Sequence, residues 1–242
     1  MANPQTVKND TKSTIMDAAE IVMAEHGMNG ATIREITARA GVNIAAIHYH
    51  FKSRDGLVKA IIGRGGDHVS RRRIQMIAEF DGSGARPAPM DIVNFLVDPM
   101  IELLEEKGEA GRRFLRFIDR LQFDRRHQPE GSGLHIQEER KYYPEIRQRL
   151  TRLAEQACPH VPEGALKQRI TMVIDTLLQS LANAEFMSTE WASDERRDEL
   201  HSYAGNLKAF LAAGLAAPAT KVEARNQAGQ KREQEARTVP QK

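Results

Sequence analysis

Histidines, cysteines, glycine-rich turns and arginine clusters are the residues of this chain whose types and spacing could do chemistry, and most of them lead away from catalysis. His48 and His50 stand two apart. Residues at that spacing on a helix face different ways, and no acidic or cysteine cluster joins them, so a metal site is not expected. Cys158 is the single cysteine and precedes Pro159 with no base partner nearby in sequence, which marks a structural thiol and excludes an intramolecular disulfide. Gly63-Arg64-Gly65-Gly66 follows no strand and does not form a phosphate loop. No catalytic set and no cofactor is expected. Arg112, Arg116 and Arg120 recur every four residues, with Arg113, Phe117 and Leu121 beside them. Two accounts of this stripe stay open. It is a solvated face balanced by Asp119 and Asp124, or it is an anion clamp at a pocket mouth, arginine being suited to bidentate carboxylate or phosphate recognition. On the second account Arg116, Phe117, Arg120 and His135 hold a small-molecule effector that is anionic with an apolar part. His127 and Trp191 are equally ambiguous, lining a pocket or sitting at a helix end.

A different pattern occupies residues 32–57. Thr32-Ile33-Arg34-Glu35 has the form of a capping box, in which the Thr32 hydroxyl accepts from the Glu35 N–H while the Glu35 carboxylate reaches back. Gly41 supplies a left-handed turn, and Asn43 is suited to cap a further short helix. Two short helices around one tight turn make a helix-turn-helix. A helix that enters a DNA groove carries small residues where it approaches and polar ones where base edges lie. Asn43, Ile44, Ala45, Ala46, His48 and Tyr49 fit that description. Thr32, Arg34, His50, Lys52 and Arg54, with backbone N–H groups near Thr32 and Ser53, suit phosphates. Ile33, Ile36, Val42, Ile47 and Phe51 read as core.

The elements that must position these residues are helical throughout. Apolar residues recur at helical spacing over 11–26, up to Gly27, and again over 90–107, 109–123, 163–190 and 194–215. A fourth helix starts near Asp55, with Gly63, Gly65 and Gly66 expected to weaken it into a hinge. A loop at 81–89 follows, and Pro144 is expected to kink or split a polar segment at 134–157. No alternating strand pattern or internal repeat occurs. The chain of 242 residues has a net charge of +2, but residues 1–73 hold 11 Lys+Arg against 7 Asp+Glu while the rest hold 24 against 26. The positive excess therefore sits at the end that carries the helix-turn-helix. No apolar run nears the roughly 20 residues a membrane helix needs. The N-terminus lacks the layout of a secretory signal, and with one cysteine the expected setting is the cytoplasm.

The segment from Thr32 to Leu57, with Ala40-Gly41-Val42 at the turn, Tyr49-His50-Phe51 closing the second helix and Ser53-Arg54 opening the next, closely resembles the TetR-type DNA-binding signature. The match covers about residues 11–62. Ala45 and Ala46 stand where that family often has Gly and Thr, and His48 where it often has Tyr or Asn, which bears on base preference rather than fold. The resemblance implies an all-α protein with a three-helix DNA-binding domain over 10–70 and a helical effector-binding and dimerisation domain over 71–216, while residues 217–242, with no aromatic residue and only Val222 and Val239 as larger aliphatics, are expected to form a disordered tail. It also implies a homodimer that binds a double-stranded DNA operator and is released by a small molecule. The last two helices are assigned to dimerisation, and their apolar stripes, Ile174, Leu177, Leu178 and Leu181 on one and Tyr203, Leu207 and Phe210 on the other, are the expected interface.

Overall fold

Each periodic segment becomes a helix in the computed structural model, in the order α1 (Pro4–Gly30), α2 (Ile33–Ala40), α3 (Ile44–Phe51), α4 (Arg54–Ser83), α5 (Pro89–Lys107), α6 (Glu109–His127), α7 (Tyr143–Ala157), α8 (Glu163–Asn183) and α9 (Asp194–Ala216). The structure describes residues 4–127, 143–184 and 194–219, and among them there is no strand. One contiguous apolar core runs from Ile15 of α1 to Leu215 of α9, and every helix contributes to it.

The first turns follow from local chemistry. The capping box at α2 forms as expected: Glu35 N–H donates to Thr32 Oγ1 at 3.2 Å and Thr32 N–H donates to the Glu35 carboxylate at 2.8 Å. Gly41 takes the left-handed conformation with φ 66° and lets the chain turn, after which Asn43 Oδ1 accepts from Ala46 N–H at 3.1 Å to start α3. At the end of α1, Gly27 is also left-handed (φ 76°). Past this break Asp124 of α6 accepts the Met28 N–H at 2.5 Å, so a side chain from the far half of the sequence satisfies a donor that the helix leaves exposed.

The structure corrects several expectations. The three glycines do not interrupt α4, which runs through 30 residues. A Cβ on Gly65 would lie 2.5 Å from the Phe114 ring of α6. The missing side chain is what lets α4 and α6 approach, and the packing gained offsets the poor helix propensity of glycine. Pro144 is the second described residue of α7, and the part of the expected polar segment that precedes Tyr143, where a kink or split would show, lies outside the described residues. The apolar stripes of α8 and α9 mostly turn inward: Leu177, Leu178, Leu181 and Leu207 are buried within a single protomer, Ile174 and Tyr203 are half-buried, and Phe210 alone of the seven is exposed, at 69%. Their periodicity reflects the protomer's own core, which needs those faces before any second copy can use them. The segment 128–142, the end of the helix expected to reach 190, and the expected tail beyond 219 lie outside the described residues.

Pro99 stands in the middle of α5 and is buried. It cannot donate to the carbonyl four residues back, Phe95 O. Arg73 of α4 fills the gap, with Nε donating to Phe95 O at 2.7 Å and Nη2 to Leu96 O at 3.1 Å.

The helix-turn-helix is joined to the rest through a buried ionic group. Glu20 of α1 is 1% exposed, and its Oε1 accepts from Arg64 Nη2 of α4 at 2.6 Å. The same Nη2 lies 2.8 Å from Asp17, while Arg113 of α6 approaches Asp17 at 3.7 Å and Glu20 at 3.9 Å. Burial pushes the Glu20 carboxyl above the ordinary carboxylate range, against the pull of Arg64.

Chemical denaturation separates the two kinds of glycine in α4. Gly65→Ala is expected to cost about 1–3 kcal/mol through the clash with Phe114. Gly63→Ala, with nothing within 4 Å of its Cβ position, should instead stabilise by about 0.5–1 kcal/mol. Arg64→Met strands Glu20. Arg64 is 33% exposed and Arg113 remains, so the expected loss is about 2 kcal/mol rather than the about 3–5 kcal/mol of a fully buried pair. Because a carboxyl raised in the folded state takes up its proton at higher pH there than in the unfolded chain, the deficit should shrink as pH falls toward the ordinary carboxylate range. A deficit that grew on acidification would mean that the Glu20 charge is not the cause.

Candidate functional site

The α3 helix buries Ile47 and Phe51 and presents its other side outward. Ile44 is 44% exposed and Tyr49 58%, and with Ala45 and His48, also exposed, they make a continuous outer face of small, apolar and aromatic groups with one imidazole. Ala46 and His50 lie half-buried at its edge, His50 packing edge-on against the Tyr49 ring at 4.9 Å. Asn43 is exposed but commits Oδ1 to the cap, and Thr32 commits its hydroxyl and N–H to Glu35, holding that carboxyl below the ordinary carboxylate range. Arg34 is exposed on α2.

The connection from α3 to α4 is strained. Lys52 has φ 67°, the one positive value among the described residues other than glycine, and Ser53 N–H donates back to Phe51 O at 2.8 Å, closing a three-residue turn about the lysine. Left-handed backbone costs a side-chain-bearing residue about 1–2 kcal/mol. The turn places an exposed Lys52 next to the N-terminus of α4, where Ser53 Oγ accepts from Gly56 N–H at 3.0 Å and the positive end of the helix dipole points outward. Arg54, expected beside it, turns inward instead: Nη2 donates to Ala31 O at 3.4 Å and Nε is buried. Nothing in the local composition signals the lysine's geometry.

In the arginine stripe of α6 only Arg120 follows the solvated-face account, its side chain 40% exposed and paired with Asp124. Arg112 is 7% exposed. Arg116 donates Nε to Ala182 O at the C-terminal end of α8 at 3.1 Å, and Arg120 pairs with Asp124 at 3.1 Å beside Gly27. Arg116 thus docks α6 onto α8, whereas Arg112 and Arg120 pair within α6, with Glu109 and Asp124, and Phe117 is fully buried in the core. His127 stacks on Phe123 at 4.2 Å, and its Nδ1 lies 2.8 Å from the Phe123 carbonyl. His135 and Trp191 lie outside the described residues.

A cavity of about 150 Å3 does exist, on the opposite side of α6 from α1, and its walls come from α4, α5, α6, α7 and α8. Leu96, Met100, Phe114, Ile118, Ile146, Leu150, Ile174 and Leu177 are among its apolar lining residues. Its polar groups are Ser70, Gln122, Thr151, Arg73 and Arg147, and none of its lining residues is acidic. Arg116, Phe117 and Arg120 do not line it. Arg73 and Arg147 escaped the sequence reading. The signal for Arg73 lay in Pro99, since a proline in a helical run leaves a carbonyl that some donor must meet. Among the described residues there is no His, Cys, Asp and Glu grouping able to hold a metal ion, and no helix long and apolar enough to cross a membrane.

Residues 15–61 match the family model described as bacterial regulatory proteins, tetR family, and residues 94–214, half of the chain, match that of the tetracyclin repressor-like C-terminal domain. The HTH-type transcriptional repressor BepR of Brucella suis is 34% identical over 94 residues, covering 39% of this chain and 43% of the relative. The HTH-type transcriptional dual regulator CecR of Shigella flexneri is 38% identical over 101 residues, covering 41% and 40% respectively. The chain thus spans about two fifths of the length of these curated relatives. Among solved structures, the transcriptional regulator FadR of Bacillus subtilis in complex with stearoyl-CoA aligns over 84% of this chain and 98% of its own, at 16% identity and a TM-score of 0.43. With both of its parts matched, the first over the helix-turn-helix and the second over the helices that enclose the cavity, the chain belongs to the TetR family of bacterial regulatory proteins.

Proposed function

We propose that the chain is a cytoplasmic, sequence-specific DNA-binding regulator of transcription, acting as a homodimeric repressor that leaves a near-palindromic operator when a small molecule occupies the cavity. The observation that carries this is the outer face of α3, which leaves Ile44, Ala45, His48 and Tyr49 exposed on a helix whose inner face is locked into the core. Such a helix fits the major groove, small residues admitting close approach and Tyr49 and His48 reaching base edges. Lys52 and the N-terminus of α4 suit one phosphate, and Arg34 another. Two copies must place their α3 helices about 34–36 Å apart, or a multiple of it, so a modest change in protomer geometry abolishes simultaneous docking.

Dimerisation is proposed through the outward sides of α8 and α9, where Met172 is 63% and Phe210 69% exposed. Around Phe210, α9 presents Gly205, Ala209 and Ala213, all exposed and small enough for a second helix to pack closely.

Footprinting and fluorescence anisotropy on a duplex selected from a random pool test the DNA assignment. Tyr49→Ala should lose sequence preference. Lys52→Gly should raise stability by about 1 kcal/mol, because glycine tolerates the left-handed turn, while weakening specific and random DNA alike and reducing the salt slope by about one charge. A salt slope equal to that of the unsubstituted protein would remove Lys52 from the phosphate contacts. Phe210→Glu should give a folded monomer by sedimentation with its operator affinity lost. A dimer that persists would place the interface elsewhere.

A further inference from the structure

The cavity, the proline in α5 and the arginine that bridges them point to the chemistry of the occupant. Arg73 is at once a wall of the cavity and the donor that meets the carbonyls around Pro99. It enters from α4, the helix that begins at the Lys52 turn. Arg147 stands exposed on α7 with no ion-pair partner among the described residues. Two guanidinium groups and no carboxylate, on a wall whose other polar groups, Ser70, Gln122 and Thr151, are uncharged, disfavour a cationic guest and favour an anionic one. An apolar cavity of about 150 Å3 accommodates a benzene-sized body.

We propose that the cavity takes a compact carboxylate amphiphile, with an aromatic or short aliphatic body, whose head group draws the Arg73 guanidinium from the Phe95 and Leu96 carbonyls. The apolar body lies against Phe114, Ile118 and Leu177, and Arg147 meets the carboxylate from the mouth. A charged carboxylate is a stronger acceptor than an amide carbonyl, and its bonds to Arg73 work against the cost of leaving Phe95 O without its donor. In making it, Arg73 uncouples α4 from α5 at the proline. The proposal rests on the cavity being the effector site of the preceding subsection, but its ligand class is measurable without DNA.

Calorimetry on the full chain with phenylacetate, 2-phenylethanol and phenethylamine reads the preference. Phenylacetate is expected to bind at least about tenfold more tightly than the alcohol, and the amine not at all, one charged hydrogen bond being enough for that ratio. Arg73→Met should bring phenylacetate down to the level of the alcohol. Pro99→Ala gives Phe95 O an intrahelical donor and so releases Arg73 from that duty. It should tighten phenylacetate by about threefold to tenfold and leave the alcohol unchanged. Should Arg73→Met alone fail to fold, the same substitution in the Pro99→Ala background carries the test, because the carbonyl is met there without Arg73. Equal binding of alcohol and carboxylate, a preference that survives loss of Arg73, or no binding by any of the three compounds would overturn the proposal. If phenylacetate binds in the expected Arg73-dependent manner yet does not release operator DNA, the ligand class stands and the regulatory role of the cavity falls.

Discussion

Glu20 governs how the two ends of this chain are held together. A carboxylate taken almost completely out of water is costly unless charge and hydrogen bonds meet it, and here the partners come from elsewhere in the fold: Arg64 on α4 and Arg113 on α6, with Asp17 sharing both. The group therefore forms only when α1, α4 and α6 are all in place. Met28 and Asp124 repeat the arrangement at the other end of the α1–α6 contact. A helix-turn-helix could be hung on a flexible linker. In this molecule it shares one core with the rest and is fixed by polar contacts that require a specific geometry, so its orientation is a property of the whole protomer.

The α6 helix separates two jobs by angular position. Arg113, Arg120 and Asp124 face α1, while Phe114, Leu115, Ile118 and Gln122 face the cavity. Gly65 brings α4 against the same helix through Phe114. Anything that displaces the Phe114 ring from the cavity side thus presses directly on α4, with no need for an intermediate chain of contacts.

Local signals in the sequence were legible where the physics is local. The Thr32–Glu35 box, the left-handed Gly41 and the Asn43 cap depend on residues three or four apart and formed as read. What escaped is long-range. Gly65 of α4 looks like a break until Phe114, far along the chain, is seen to need its space. Arg116 looks like part of a clamp until Ala182, 66 residues further along, is found opposite it. The stripes of α8 and α9 are apolar for either of two reasons, a neighbour in the same chain or one in another, and periodicity cannot distinguish them. Only Phe210, left outward, carries information on that point.

The continuity of α4 has a mechanical consequence. Its 30 residues make a rod about 45 Å long at about 1.5 Å per residue. Arg73 grips that rod about 28 Å from the end at Arg54. A tilt of about 5° about that grip sweeps the Arg54 end through about 2.5 Å, comparable to the length of a hydrogen bond. Had the three glycines broken the helix, the bend would have absorbed the rotation locally. An unbroken rod instead works as a lever, magnifying an adjustment of a few tenths of an ångström beside the cavity into a misfit at the far end, where Lys52 and α3 are carried.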